Sequence, residues 1–157
     1  MYCVVAKNNL LLYNRVMITV RQIEQFEKDI KRLKKRYPSV QRHLRYAQRL
    51  LEAGTVLQQT KSYPGFGQHE MFKTRVINTD MGNRGKSGGY RLIYEQLGSG
   101  TDKMIVLVML YTKNEFSDEN KIMNEIRSRL NSRAYPTLDE ITMSSSTSQV
   151  DSANLPR

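Results

Sequence analysis

Met104-Ile-Val-Leu-Val-Met-Leu-Tyr111 is the longest unbroken apolar run in the chain, and it restricts the possible folds more than any other stretch. Eight residues fall well short of the roughly 20 that a membrane-crossing helix needs. Read as a strand, the run places apolar side chains on both faces, because successive side chains alternate. Such a strand belongs inside a sheet that is covered on both sides. The turn Gly98-Ser-Gly-Thr-Asp102 stands before it and the apolar-rich run Gly89-Tyr-Arg-Leu-Ile-Tyr-Glu-Gln-Leu97 before that. This predicts two adjacent antiparallel strands.

The remaining elements follow from periodicity. Met17-Ile-Thr-Val-Arg-Gln22 reads as a first strand. Ile23, Phe26, Ile30, Leu33 and Tyr37 are spaced three, four, three and four residues apart, which puts them on one stripe of a helix. Pro38 ends that helix. Ser39 is the expected N-cap of a second helix, whose apolar side is Val40, Leu44, Ala47 and Leu51 and whose stop is Gly54. Residues 55–70 form a turn-rich connection, followed by the strand Met71-Phe-Lys-Thr-Arg-Val-Ile77. A last helix carries Ile122, Ile126 and Leu130 on one side. The expected order is β-α-α-β-β-β-α, an α+β domain with an N-terminal helical hairpin packed on a mostly antiparallel sheet.

That domain is expected over residues 17–135. Residues 1–16, MYCVVAKNNLLLYNRV, fit the pattern poorly and read as an upstream extension, with an extra strand or arm as the other reading. They do not make a convincing signal peptide, since Asn8 and Asn9 interrupt the apolar stretch. Residues 136–157 are rich in Ser and Thr and read as a disordered tail. The single cysteine, Cys3, excludes an internal disulfide framework and a Cys-based zinc site.

The segment Gly82-Asn-Arg-Gly-Lys-Ser-Gly-Gly89 contains the letters GKS, the end of a nucleotide-binding loop. That loop needs an earlier glycine, and Asp80 stands in its place. It also needs a helix behind it to present a positive dipole end to phosphate, whereas a strand pattern follows. No nucleotide cofactor is expected. The segment is expected to join two antiparallel strands instead.

The net charge of +10 points to a polyanionic partner. Nine Lys or Arg and one acid, Asp29, lie between Lys28 and Arg49, a one-sided balance that suits RNA or an acidic protein segment. The strand cations are more specific. Lys73 and Arg75 share one face of their strand, and Arg91 lies opposite Tyr90, Leu92 and Tyr94 on the next. If the three converge, they meet beside the loop carrying Arg84 and Lys86, with Lys113 at the rim. A phosphodiester would relieve their mutual repulsion. Pairing with Glu95 or Glu70 is the alternative.

Met71-Phe-Lys-Thr-Arg-Val-Ile77, Gly85-Lys-Ser-Gly-Gly-Tyr-Arg-Leu-Ile-Tyr-Glu95 and Met109-Leu-Tyr-Thr-Lys-Asn-Glu115, placed after a basic helical hairpin, resemble RelE/HigB-like toxins of bacterial type II toxin–antitoxin systems. The resemblance covers about Met17 to Arg133. It implies a small RelE-like domain and a cytoplasmic mRNA interferase, an endoribonuclease that cuts mRNA on the ribosome and inhibits translation. The expected partners are a cognate antitoxin, mRNA and the ribosome, with no membrane. The nucleophile would be the RNA's own 2′-hydroxyl, so no cofactor and no metal is implied. By the same resemblance Lys73 would be the base, Arg75 a further cation, Arg91 the phosphate clamp and Lys113 the leaving-group cation. Arg84, Lys86, Lys34, Lys35, Arg42 and Tyr94 would bind RNA. Where some relatives carry a tyrosine near the last helix, this chain has Asn120, and Tyr94, Tyr111 and Tyr135 are the possible substitutes. His69 is a candidate for the rim, while His43 reads as a surface residue. The other readings are a ParE-type toxin that inhibits DNA gyrase without cutting RNA, and a plain RNA-binding module.

Overall fold

The computed structural model describes residues 17–82, 88–100, 102–132 and 135. The expected extension, the tail, Arg84 and Lys86 lie outside the described residues. Among the described residues the chain forms β1 (Met17–Gln22), α1 (Glu24–Lys34), α2 (Val40–Glu52), β2 (Lys61–Ser62), β3 (Met71–Val76), β4 (Tyr90–Leu97), β5 (Asp102–Thr112) and α3 (Glu119–Leu130). The strands make one sheet in the order β1-β5-β4-β3-β2. Only the β1–β5 pair is parallel. This is the expected α+β domain with one strand added. β2 has two residues, too few to leave a period in the sequence. A strand, not a helix, follows the glycine-rich segment. No helix among the described residues is long and apolar enough to cross a membrane.

The helical hairpin α1–α2 covers one face. Every residue of its two expected stripes is buried, from Ile23 to Tyr37 and from Val40 to Leu51. Gly54 ends α2 at φ +75°, a conformation that favours glycine. Ser39 holds the N-cap position but its side chain caps nothing. Its amide donates instead to Asp80 Oδ2 at 2.9 Å. The opposite face of the sheet carries α3, whose Ile122 and Ile126 are buried.

β5 lies between β1 and β4, with its apolar run buried. β1 accompanies it only as far as Leu107. Ile93 pairs with Met109 and Tyr94 with Leu107, so Val108 is a bulge. Beyond that point no strand among the described residues lies beside this edge, and unsatisfied backbone groups would be costly there. Side chains supply the partners. The Leu110 amide donates to Asp29 Oδ2 at 3.0 Å, and its carbonyl accepts from Arg32 at 3.2 Å. Arg129 donates to the Val108 carbonyl at 2.8 Å, and the Thr112 amide donates to Glu115 at 3.0 Å. Asp29 and Arg129 are themselves paired, at 2.6 and 3.0 Å. Asp29, the one acid in the basic run, is thus committed to the interior, where it joins α1 to α3 around the edge of the sheet.

Candidate active site

Register decides which cations meet. Arg75 pairs with Arg91, and Arg91 pairs with Tyr111. Lys61 pairs with Lys73, and Lys73 with Ile93. Cross-strand partners point the same way, so Lys61, Lys73, Arg75, Arg91 and Tyr111 stand on one face, the face that carries α3. A cleft of about 240 Å³ opens there, with Lys61, Tyr63, Lys73, Arg75 and Arg91 in its walls. Lys73, Arg75 and Arg91 therefore converge, the outcome that alternation within each strand left conditional.

The first residue of α3 supplies the only carboxylate bonded to this group among the described residues. Lys73 Nζ donates to Glu119 Oε1 at 3.1 Å and to Oε2 at 3.3 Å, and the Tyr63 hydroxyl donates to Glu119 Oε1. Asp118 caps α3 by accepting from the Asn120 amide at 2.9 Å. Glu119 thus sits at a helix N-terminus, where the macrodipole favours an anion. Burial works against its charge, but the hydrogen bonds from Tyr63 and Lys73 prevail and hold its carboxyl below the usual range.

The Lys73 ammonium also lies 4.8 Å from the centre of the Tyr63 ring and 6.0 Å from that of Tyr111. Burial pushes the Tyr111 hydroxyl up, with the nearby positive charge of Lys73 opposing. Burial and the like charge of Arg75 both lower Arg91. A negative group entering the cleft would relieve that repulsion. Tyr63 is raised by burial and by its bond to Glu119.

Other expected site residues lie elsewhere. Tyr94 is on the helix-hairpin face, buried and stacked on Phe72 at 5.5 Å. Its ring cannot reach RNA on the cationic face, so the RNA-binding expectation for Tyr94 is corrected. Lys113 follows the last residue of β5, exposed in a turn and outside the cleft walls. Lys34, Lys35 and Arg42 belong to the hairpin on the other side of the sheet and take no part in this cleft. His43 is half-buried, with Nε2 at 3.0 Å from the Thr79 hydroxyl.

His69 faces buried Glu95, with Nδ1 at 2.7 Å from Oε1, and its ring meets Tyr135 edge-on. Glu95 pairs with Met71 and not with the arginines, four residues along β3 from Arg75, or roughly 13 Å. Sequence reasoning missed Lys61, Tyr63 and Glu119. Tyr63 and Lys61 come from a loop and a two-residue strand without a pattern. Glu119 was legible only as the acid at the start of the last helix.

Comparison of the chain with protein-family models, curated proteins and solved structures returns no match.

Proposed function

We propose that the chain is the toxin of a bacterial toxin–antitoxin pair, a metal-independent endoribonuclease of RelE/HigB type that cuts mRNA on the ribosome in the cytoplasm and so inhibits translation, with a cognate antitoxin protein as its restraint. The observation that carries this reading is the pairing of Arg75 with Arg91 on the sheet face that carries α3, beside a Lys73–Glu119 pair. Two guanidiniums with adjoining lysines suit a phosphodiester. A carboxylate with donors around it supplies acid and base in one place.

In this reading Arg75 and Arg91 hold the scissile phosphate and the charge that grows on it. Glu119 accepts the proton of the 2′-hydroxyl, whose oxygen attacks phosphorus. The bond from phosphorus to the 5′-oxygen breaks, leaving a 2′,3′-cyclic phosphate on one fragment. In this reading Lys73, which donates to Glu119, is the proton donor and not the base that the resemblance implied. It replaces Lys113 as the cation beside the departing 5′-oxygen, which takes up a proton.

Mapping mRNA 5′ ends after induction tests the reading. New ends within translated codons, absent with Arg91→Ala, are the expected result. That variant should keep its melting temperature, because Arg91 is only partly buried. Intact mRNA accompanied by DNA breaks would replace the nuclease with a gyrase inhibitor of ParE type.

A further inference from the structure

Tyr46, Val56 and Ile77 are the large apolar side chains most open to solvent among the described residues, 63%, 76% and 66% exposed. Two of them share one hollow: Tyr46 and Ile77 border a groove of about 540 Å³ between α2 and the end of β3, with Leu57 in its wall. Ala47, Leu50 and Val76 add to the apolar lining. Exposed apolar hollows of this kind mark contact sites. The neighbouring hollow on α2 shares Arg42 and Tyr46 with the groove and adds Arg45 and Arg49. Arg42, Arg45 and Arg49 are three and four residues apart and follow one side of the helix over about 10 Å. No salt bridge joins any of them to a carboxylate among the described residues.

We propose that this groove docks an amphipathic helix of a partner protein, with apolar side chains in the groove and carboxylates against Arg42, Arg45 and Arg49. A helix with acids at the same three- and four-residue spacing matches the arginine row. RNA fits less well: the rings in the lining are Tyr46 and the half-buried His43, and His43 is bonded to Thr79, which leaves one exposed platform for stacked bases. Arg75 lines both the groove and the phosphate cleft. A carboxylate at the β3 end of the groove competes with phosphate for Arg75, so docking weakens RNA binding. This second step rests on the nuclease reading. The docking itself does not.

The test uses a fluorescent, helix-forming synthetic peptide of about 18 residues with Leu along one face and Glu beside it. Saturable binding by the full chain is expected, weakening as salt rises. Tyr46→Glu and Arg49→Glu should each lower its affinity by about ten-fold or more, with unchanged circular dichroism. A scrambled peptide of equal charge should bind far less. Equal binding of the scrambled peptide, no saturable binding, or undiminished affinity in both variants would overturn the proposal. A 2′-deoxy-substituted RNA oligonucleotide provides the second arm. Bound peptide should weaken its binding, and Tyr46→Glu should leave its affinity unchanged. A loss of RNA affinity in Tyr46→Glu would assign the groove to nucleic acid and overturn protein docking. Peptide binding without any RNA binding would support the docking and retire the nuclease reading alone.

Discussion

Replacing Arg129 with Met removes the guanidinium that joins α3 to α1. The wild-type side chain donates to both oxygens of Asp29 at 2.6 and 3.0 Å, and to the Val108 carbonyl at 2.8 Å. Asp29 is 1% exposed and Arg129 6%, so water cannot stand in for the lost partner. Breaking a buried ion pair from one side costs about 3–5 kcal/mol. Asp29 retains Arg32 at 2.8 Å and the Leu110 amide, which places the expected loss near 3 kcal/mol. In a domain of this size that lowers the melting temperature by about 10 °C. Asp29→Leu alone should also destabilise, because it strands Arg129. The double variant Asp29→Leu/Arg129→Met buries no unpaired charge and should lose clearly less than the sum of the two singles. Thermal and urea unfolding followed by far-UV circular dichroism at neutral pH measure all four proteins. Strict additivity, or a drop below about 3 °C for Arg129→Met, would refute the buried pair as the clasp between these helices.

Glu119→Gln should slow RNA cleavage by about 10²–10⁴-fold while a 2′-deoxy-substituted oligonucleotide binds as well or better, because a negative charge has left the cleft. Weaker binding in step with slower cleavage would make Glu119 a structural residue. Tyr94→Phe should leave RNA affinity unchanged in a binding titration and keep the melting temperature close to wild type, because the ring still stacks on Phe72; a large loss of affinity would contradict its place on the hairpin face. Burial raises the folded carboxyl of Glu95 above its usual value of 4.5, with the His69 hydrogen bond opposing. Above that value the native state therefore keeps a proton that the unfolded state has released, and this group's contribution falls as pH rises toward the raised pKa. Glu95→Gln should remove that fall and raise the melting temperature at neutral pH, since the side-chain amide can hydrogen-bond His69 with either tautomer. Melting curves from pH 5 to pH 7 that decline no more for wild type than for the variant would speak against it.

Elements whose signal is periodic were legible in the sequence. Ile23, Phe26, Ile30, Leu33 and Tyr37 mark α1 because a helix repeats its buried face within the sequence itself. The convergence of Lys73, Arg75 and Arg91 was half legible. Alternation fixed which way Lys73 and Arg75 point relative to each other, while the register that sets Arg75 against Arg91 is a tertiary fact. Glu119 meets Lys73 across 46 residues of chain and Tyr63 across 56, and no local pattern records such meetings. Asp29 misled in the opposite direction. A lone acid among nine cations looks like a gap in a basic surface, yet its isolation reflects a buried partner one hundred residues away.

The guarded edge of β5 bears on how the protein is made. Asp29 and Arg32 leave the ribosome early, whereas Arg129 lies in the last helix of the described fold. Until α3 emerges, the most apolar strand of the sheet exposes the Val108 carbonyl and one uncovered face. An open strand edge of that kind recruits strands from other copies. A premature stop or a proteolytic cut before Arg129 should therefore yield insoluble chains rather than a shortened soluble protein. The final turns of α3 act in this respect as an internal safeguard against self-association during synthesis.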